Sequence, residues 1–371
     1  MLTRFEVSHF KSFNEKFVFD LSQSSDYQFN PEGIKNGIVN KAIIYGANGC
    51  GKSNLGLAIF DISSHLSSND FKGELYQNYL NAESAAEITE FTYFFHIANQ
   101  EVIYCYGKTD VDNLVYETLT IGGAKVIAID RRKDSFAHIQ LVGAENLHAD
   151  MGESKISVIN YVKNNTVRPV NSVNAAFDSF LAFVDKMKFY KYLLGNYFFL
   201  GYKKGTGSIE DNIIKQGKVA DLQDFLNRAG VDCKLEQFEY NGKPSIAFVF
   251  QEKKIFWRDI ASTGTQALIV FYGWLQLLKV QGPVDLLFID EFDAFYHHEL
   301  SEFIVTELKN VSAQVILTTH NTSIMSNDLL RPDCYFLMTK EKIKPLSQCT
   351  DRELRFGHNL EKMYRAEAFD V

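Results

Sequence analysis

The residues best suited to chemistry form a short glycine-rich segment, 46–53, that ends in a lysine and a hydroxyl. It reads GANGCGKS, which fits the spacing GxxxxGK[ST]. Glycines let backbone N–H groups turn inward around a β-phosphate, and a helix starting there adds its partial positive charge. Lys52 is expected to reach the β- and γ-phosphates, and the Ser53 hydroxyl to bind Mg²⁺. The pattern predicts an ATP site with Mg²⁺, contacted by Gly46, Asn48, Gly49, Cys50, Gly51, Lys52, Ser53 and Asn54.

Two adjacent acids, Asp290 and Glu291, follow the apolar residues 286–289. A buried strand that ends in two acids places them at its carboxyl edge, where α/β sheets bind ligands. We expect Asp290 to hold Mg²⁺ through water, and Glu291 to polarise the attacking water as a general base. An apolar strand ending in Asp-Glu is common by itself, and only its pairing with the glycine-rich loop makes the catalytic interpretation specific.

Two further segments carry weaker signals. Residues 262–266 read STGTQ and stand directly before an apolar helix, so a serine or threonine N-cap explains them fully. His320 follows the apolar residues 315–317, and a lone histidine in such a place is usually structural.

These residues need strands and helices to position them. Apolar runs predict buried strands at 42–45, 286–289 and 315–317, and helices at 266–279 and 300–308. Alternating residues predict two short strands within 2–20, antiparallel strands over 88–120, another at 126–129, and a hairpin over 238–250. From about 153 to 229 the spacing of apolar residues predicts helices. The expected fold class is α/β, a mixed sheet flanked by helices with an antiparallel β subdomain.

Composition places the chain among ordinary globular proteins. It has 371 residues, 46% hydrophobic and 23% charged, with a formal charge of −8. No apolar run is long enough for a membrane span, and the N-terminus lacks the apolar core of a signal peptide. DNA binding is not suggested by this charge. Five scattered cysteines without CxxC spacing predict a reducing cytoplasm: Cys50, Cys105, Cys233, Cys334 and Cys349.

Taken together, the loop, the acidic strand end, STGTQ and the histidine resemble the motifs of ABC-type ATPases of the SMC, RecF and OLD-like group. The resemblance implies that Ser262, Gly264 and Gln266 contact the γ-phosphate held by a second copy. Two copies would therefore meet head to tail around two ATP molecules. His320 would be the switch histidine that bonds the γ-phosphate.

Other elements of this group match less well. Asp293 and Ala294 correspond to its D-loop, and the nearby His297 and His298 are either interface or solvated helix residues. The Q-loop glutamine could be Gln77 or Gln100, neither convincing. The adenine contact could be Lys11, Phe13 or Tyr27.

Within the group, FEVSHFKSF near the N-terminus and IDEFDAFYHHELSEFIV with TTHNTSIMSNDLLRPDCYF near the C-terminus look like the small OLD-like ATPases of bacterial anti-phage systems. The PARIS type is nearest, and retron- and Septu-associated ATPases come next. The sequence has no long heptad stretch, so we do not expect an SMC coiled-coil arm. The segment after His320 is too short for a Toprim nuclease, so we expect any toxin or nuclease activity to lie in a partner.

The expected organisation has three parts. Residues 1–125 form an N-terminal ATPase lobe with the loop and the antiparallel β subdomain, 126–250 a mainly helical insertion for oligomerisation or effector docking, and 251–371 a C-terminal lobe with the remaining motifs. The insertion is rich in aromatic residues that either dock an effector or fill a small core: Phe189, Tyr190, Tyr192, Tyr197, Phe198 and Phe199.

The function expected is an ATPase that senses phage infection and controls a partner effector, with a phage-encoded trigger. The alternative is a RecF- or SMC-like ATPase that clamps DNA for repair. A transporter subunit is a third class, disfavoured by the N-terminal strands and the STGTQ segment.

Overall fold

A computed structural model describes residues 1–68, 73–147, 150–151, 154–193, 196–201, 209–280 and 282–371, with the backbone alone for 192–193 and 196–200. The chain divides into two compact units. The first contains residues 1–203, 285–292 and 313–371, and the second contains 204–284 and 293–312.

The strands of the described residues are, in chain order, β1 (Leu2–Ser8), β2 (Phe17–Asp20), β3 (Ile34–Lys35), β4 (Ile38–Val39), β5 (Lys41–Tyr45), β6 (Thr89–Ile97), β7 (Gln100–Lys108), β8 (Leu114–Ile121), β9 (Ala124–Asp130), β10 (His138–Ile139), β11 (Met187–Leu193), β12 (Asn196–Leu200), β13 (Leu235–Tyr240), β14 (Lys243–Phe250), β15 (Lys253–Phe256), β16 (Leu286–Asp290), β17 (Gln314–Thr319), β18 (Tyr335–Met338) and β19 (Ile343–Pro345).

The α-helices are, in the same order, α1 (Lys52–Phe60), α2 (Ser63–Leu66), α3 (Val158–Asn165), α4 (Ser172–Asp185), α5 (Ile209–Lys215), α6 (Val219–Arg228), α7 (Trp257–Ile260), α8 (Thr263–Lys279), α9 (His298–Lys309) and α10 (Leu360–Arg365). None of the helices in the described ranges is both long and apolar enough to cross a membrane.

The central sheet of the first unit positions the candidate site. Its strand order is β12-β11-β16-β17-β5-β18-β19, and the five inner strands from β11 to β18 run parallel. Every residue of β5, β16 and β17 is buried, as expected for parallel strands covered on both faces. The carboxyl ends of these strands share one edge of the sheet, and the glycine-rich loop, Asp290 and His320 all lie at or just beyond those ends.

A second sheet of the first unit is entirely antiparallel, with the order β10-β9-β8-β7-β6-β1-β2. Its strands alternate buried aromatic residues with more exposed polar ones, as along Thr89–Ile97. The predicted β subdomain over 88–120 and the strand at 126–129 are confirmed. The two short strands predicted within 2–20 are confirmed as β1 and β2.

The second unit combines helices α5 to α9 with the three-stranded sheet β13-β14-β15. The predicted hairpin is confirmed, and its turn at Asn241 and Gly242 has φ angles of 49° and 76°. Two consecutive positive φ angles match the twist of antiparallel strands, which explains the Asn-Gly pair there. The helix predicted at 266–279 and that at 300–308 are also present, as α8 and α9.

The prediction of helix is wrong for residues 187–193 and 196–200, which form strands. Helix α4 ends at Asp185, and Met187 begins β11, which pairs parallel with β16 in the central sheet. Phenylalanine and tyrosine favour strands, and that preference outweighs the helical spacing of apolar residues in this segment. The compact units also divide the chain elsewhere than at 125 and 250, because β9 to β12 belong with the first unit.

Two of the aromatic residues expected to dock a partner can be placed. Phe189 is 1% exposed and packs on Phe60 and Phe288, with ring centroids 5.6 Å away in each case. Phe189 therefore belongs to the core between α1 and the sheet. Tyr190 is half-buried. The side chains of Tyr192, Tyr197, Phe198 and Phe199 lie outside the described residues.

Candidate nucleotide site

The glycine-rich loop connects the buried strand β5 to helix α1. Gly49 and Gly51 have φ angles of 76° and 104°, which side chains with a Cβ rarely adopt. A Cβ on Gly46 would stand 2.6 Å from both the carbonyl oxygen of Met338 and the Sγ of Cys50. The loop conformation thus requires glycine at each of its three glycine positions, and it brings backbone N–H groups to the start of α1.

Lys52 is the first residue of α1 and is only 6% exposed. Its ammonium donates to the carbonyl oxygens of Gly46 at 2.8 Å and Ala47 at 3.3 Å. Burial lowers the pKa of Lys52, and the nearby carboxylates of Asp290 and Glu291 oppose that shift. The side chain of Lys52 therefore lies folded over the loop.

Three residues meet at the edge of the sheet beside the loop. Lys191, on β11, donates to the Oγ of Ser53 at 2.9 Å and to the Oδ2 of Asp290 at 2.5 Å. Asp290 is 1% exposed, so its charge depends on these protein partners. Lys191 is a residue that the sequence motifs did not single out, and it bridges the two side chains predicted to hold Mg²⁺.

Thr318 fixes the other side of the acidic pair. Its hydroxyl donates to the Oδ1 of Asp290 at 2.7 Å and accepts the backbone N–H of Glu291 at 2.8 Å. Glu291 has a φ of 52°, a left-handed conformation that is uncommon for a residue with a Cβ. Phe292 then donates its N–H to the backbone oxygen of Thr318 at 3.1 Å. These bonds hold a sharp turn at the end of β16, and a threonine within an apolar strand was the available sequence signal for it.

A cavity of about 190 Å³ opens at this edge of the sheet. Eight residues line it: Asn48, Gly49, Gly51, Lys52, Ser53, Asn54, Glu291 and His320. The side chain of Glu291 is 39% exposed, and His320 is exposed directly after β17. The fold therefore brings the loop, the second acid and the histidine around one space, although they are distant in sequence.

A segment near the N-terminus forms a further wall of the loop. Asn54 donates to the hydroxyl of Ser12 at 3.0 Å, and a Cβ on Gly51 would stand 2.7 Å from that same oxygen. Next to it, Lys11 donates to the backbone oxygen of Gln77 at 2.6 Å, and burial lowers the pKa of Lys11. Lys11 thus directly precedes the residue that contacts the loop, and its ammonium holds the backbone of Gln77.

Phe13 and Tyr27, two of the residues predicted to contact adenine, lie at different places. Phe13 is 1% exposed and packs on Phe17 with ring centroids 4.6 Å apart, and its ring edge lies 3.6 Å from where a Cβ on Gly51 would stand, so the ring belongs to the core beside the loop. Tyr27 lies against the guanidinium of Arg331, 5.2 Å from its ring centroid, and Arg331 precedes β18. That is the amino-terminal edge of the parallel strands, opposite the loop, so Tyr27 is not an adenine contact.

Of the two glutamines considered for the Q-loop, Gln77 and Gln100, the second lies away from the cavity. Gln100 begins β7 in the antiparallel sheet, at the hairpin that follows β6, and does not lie among the residues lining the cavity. The side chain that does reach Ser53 and Asp290 from the strand beside β16 is that of Lys191. Nothing in the local sequence around Lys191 indicates this, because its position depends on strand pairing.

The STGTQ segment lies in the second unit and begins α8. Ser262 is the N-cap, and its hydroxyl accepts the N–H of Thr265 at 3.2 Å. The side chain of Gln266 donates to the backbone oxygen of Ala261 at 3.0 Å. A Cβ on Gly264 would stand 3.2 Å from the backbone oxygen of Phe295, so a glycine lets this turn approach the segment after Asp293 closely. The N-cap function is present in the structure.

The histidines beyond the acidic strand are ordinary parts of a helix start. His297 is the N-cap residue of α9, and the side chain of His298 lies 3.5 Å from that of Glu302, one turn later. In the same unit, Tyr296 donates its N–H to the backbone oxygen of Asp293 at 3.0 Å. The turn after Asp293 therefore leads directly into α9.

The oxygens available at the site suit Mg²⁺. Ser53 offers a hydroxyl and Asp290 a carboxylate, and Mg²⁺ is usually held by one or two such protein ligands together with phosphate oxygens and water. Ser53 and Asp290 would hold the ion, provided that the ammonium of Lys191 leaves their oxygens.

Comparison with protein families gives one match. Residues 194–326 match the family model described as "AAA domain, putative AbiEii toxin, Type IV TA system". The matched range includes Ser262, Asp290, Glu291 and His320, and it begins after the glycine-rich loop. A search of curated proteins found no match.

Comparison with solved structures finds SMC heads and RecF. An SMC head bound to the C-winged helix domain of ScpA has a TM-score of 0.49 and 16% identity, covering 93% of this chain and 97% of its own. An SMC head with an extended coiled coil, bound to the C-terminal domain of ScpA from Pyrococcus furiosus, has a TM-score of 0.47 and 14% identity. The match covers 99% of this chain and 98% of the SMC head. RecF with ATP has a TM-score of 0.41 and 13% identity, and the match covers 93% of this chain and 99% of RecF.

The loop between β5 and α1 and the acidic end of β16 have the residue types and the arrangement that are typical of P-loop nucleotide-binding domains. Residues 194–326, which include the acidic strand end, are similar to the AAA family model.

Proposed function

We propose that this protein binds Mg-ATP and hydrolyses it to ADP and phosphate. The observation that carries the proposal is the single cavity that the glycine-rich loop, Glu291 and His320 line together. A loop of inward-facing N–H groups binds phosphate, and a carboxylate beside the γ-phosphate can act on water.

Each residue has a separate role in this proposal. Lys52 binds the β- and γ-phosphates by turning its ammonium away from the loop carbonyls. Ser53 and Asp290 hold Mg²⁺, which neutralises charge on the phosphate oxygens. Glu291 accepts a proton from the attacking water, and the turn fixed by Thr318 orients it. His320 donates to the γ-phosphate.

Two substitutions test this assignment. Lys52→Ala is expected to abolish ATP binding, because it removes the cation that neutralises the phosphates. Glu291→Gln is expected to bind ATP and to lower turnover at least about a hundredfold, the lower range of a general base contribution. Micromolar ATP affinity in Lys52→Ala, or wild-type turnover in Glu291→Gln, would contradict the proposal.

We further propose that the site is completed by a second copy, arranged head to tail. Ser262, Gly264 and Gln266 stand at the start of α8, a helix of 17 residues, and a helix N-terminus favours an anion such as a γ-phosphate. ATP is then expected to promote pairing, most visibly in Glu291→Gln.

Mixing two inactive variants tests the composite site. In a mixture of Lys52→Ala and Ser262→Ala proteins, each mixed dimer has one intact loop facing one intact Ser262. If sites act independently, about a quarter of wild-type turnover returns, since half of the dimers are mixed and each has one working site of two. Each variant alone stays inactive. If both motifs served the same chain's site, mixing would restore nothing.

A control separates the loss of a helix cap from the loss of a phosphate contact. Asn171 caps α4 through its side chain, as Ser262 caps α8. Asn171→Ala and Ser262→Ala should each lose about 1 kcal/mol of stability, but only Ser262→Ala should lose turnover.

We propose that the biological role is control of a partner effector during anti-phage defence, in the cytoplasm. The description of the matched family, which names a putative toxin and a toxin–antitoxin system, supports a toxin–antitoxin context for this role. The test is affinity purification of Glu291→Gln with its neighbouring genes and Mg-ATP. A stoichiometric small protein that is lost with Lys52→Ala supports this role, whereas nuclease-sensitive DNA without a protein companion supports a DNA clamp instead.

A further inference from the structure

The two oxygens that the proposed function assigns to Mg²⁺ are already bonded to an ammonium of this chain. Lys191 Nζ lies 2.9 Å from Ser53 Oγ and 2.5 Å from Asp290 Oδ2. It also lies 4.0 Å from Glu291 Oε1. The side chain of Lys191 is 17% exposed and that of Asp290 is fully buried, so the pair is largely shielded from solvent.

The position of Lys191 follows from strand pairing. β11 and β16 run parallel with Lys191 opposite Asp290, and β17 places Thr318 beside Asp290 on the other side. Residues opposite each other on neighbouring strands point to the same face of a sheet. A lysine, an aspartate and a threonine therefore form a row at the edge of the sheet beside Ser53.

A metal ion at these oxygens competes with the ammonium of Lys191. Whether Mg²⁺ binds Asp290 directly, at about 2.0–2.1 Å, or through a water, its double positive charge would stand close to Nζ, and the two cations repel each other. The other oxygen of Asp290, Oδ1, already accepts the hydroxyl of Thr318 at 2.7 Å, so both oxygens of Asp290 have a protein donor. Metal binding is therefore expected to displace Lys191 from Asp290.

We propose that Lys191 is a built-in competitor of Mg²⁺ that raises the concentration of free metal needed to load the site. The proposal rests on the assignment of Ser53 and Asp290 to Mg²⁺ in the function proposed above. On loading, the ammonium leaves Asp290 and turns towards Glu291 and the bound phosphates, which are the remaining negative groups at this edge. The end of β11 thereby senses whether metal and nucleotide are present.

Lys191→Met removes the competing charge while keeping a side chain of similar length. The matched control is Lys186→Met, because Lys186 precedes β11 and pairs at 3.7 Å with Asp285 before β16, at the opposite ends of the same strands. Thermal unfolding is measured with MgCl2 alone, without nucleotide. Without metal, Lys191→Met should unfold at a lower temperature than wild type. Mg²⁺ should raise the unfolding temperature of Lys191→Met, whereas it should change that of wild type and of Lys186→Met only little.

The second measurement is binding of a fluorescent ATP analogue as free Mg²⁺ is varied. Removal of one cation at this distance should lower the Mg²⁺ midpoint about tenfold in Lys191→Met relative to wild type and Lys186→Met. An equal or higher midpoint in Lys191→Met overturns the proposal, because it would mean that Lys191 is neutral or helpful to metal binding.

Two more variants keep the test decisive. If Lys191→Met does not fold, Lys191→Gln repeats both measurements with a polar, uncharged side chain. The double variant Lys191→Met with Asp290→Asn should lose the Mg²⁺ response in unfolding, and retention of that response overturns the proposal. If no variant, nor wild type, binds the ATP analogue, the proposed function fails, while unfolding with MgCl2 alone still decides the competition between Lys191 and metal.

Discussion

The hydroxyl of Thr318 donates to the Oδ1 of Asp290 at 2.7 Å while it accepts the N–H of Glu291 at 2.8 Å. One side chain on β17 thus sets the direction of the acid at the end of β16 and the backbone turn of the next acid. This relationship joins the proposed metal ligand to the proposed general base through one hydroxyl.

Thr318→Val should lower ATP turnover about a hundredfold and leave ATP binding within a few-fold of wild type. Valine has nearly the shape of threonine but removes both bonds, so Glu291 loses its orientation, and a general base contributes at least about that factor. Two buried polar groups lose their partner, so stability should fall by about 1–3 kcal/mol. Steady-state turnover and urea unfolding check this. Thr318→Ser keeps the hydroxyl and should recover most of the turnover; equal losses in both variants would disprove the positioning role.

Gly46→Ala should weaken ATP binding about tenfold or more. The added Cβ would stand 2.6 Å from the backbone oxygen of Met338, which cannot move as a flexible side chain could, so the loop must shift. Overpacking of this kind costs about 1–3 kcal/mol, and each 1.4 kcal/mol is tenfold in affinity. Titration with ATP measures the change. Gly357→Ala is the control, since nothing lies within 4 Å of its Cβ, and unchanged affinity in both variants would contradict the prediction.

Asp61→Asn should be among the most destabilising single changes in the first unit. Asp61 directly follows α1, is fully buried, and accepts from Lys108 at 2.8 Å and from the hydroxyls of Tyr106 at 2.8 Å and Tyr79 at 2.7 Å. The substitution leaves the buried ammonium of Lys108 without a compensating charge, at a cost of about 3–5 kcal/mol.

Urea unfolding of Asp61→Asn is compared with that of Glu353→Gln, which breaks the exposed pair with Arg355. A fully exposed pair of this kind contributes little to stability, because water screens it. Similar losses of unfolding free energy in the two variants would contradict the prediction, because they would show that the buried Asp61 pair contributes no more to stability than the exposed pair.

Lys41→Met should remove a pH dependence of stability between about pH 7 and 10. Lys41, at the start of β5, is 4% exposed, and burial lowers its pKa from 10.5 to about 7. In this window the unfolded chain binds a proton at Lys41 that the folded chain does not, so stability rises with pH by up to about 1.4 kcal/mol per unit. Below pH 7 both states are protonated, and the slope vanishes.

The measurement is the difference in the free energy of unfolding between wild type and Lys41→Met at pH 7, 8 and 9. The hydrogen bond from Lys41 to the backbone oxygen of Ala313, 2.6 Å long, is lost at every pH, so it shifts the difference without giving it a slope. Parallel pH profiles would show that Lys41 keeps an ordinary pKa in the folded protein.

Local sequence was sufficient for much of the fold. β5 and β16 are short apolar runs bounded by glycine or acids, and the strand, glycine loop and helix over residues 41–60 follow from neighbouring residues alone. The hairpin at Asn241 was readable for the same reason, because its turn type depends on two adjacent residues. The segment 187–200 was misread as helix because the same apolar residues fit a helical face and a buried strand, and only pairing with β16 decides between them.

The sequence by itself determined which residues can bind phosphate and metal, since the loop from Gly46 to Ser53 and the pair Asp290 and Glu291 have their chemistry in adjacent positions. Only the tertiary structure decided what stands beside them. Lys191 is 99 residues from Asp290 and Thr318 is 28, and both reach it through parallel strand pairing. Register between distant strands depends on which faces are buried in the whole sheet, and no short segment contains that information.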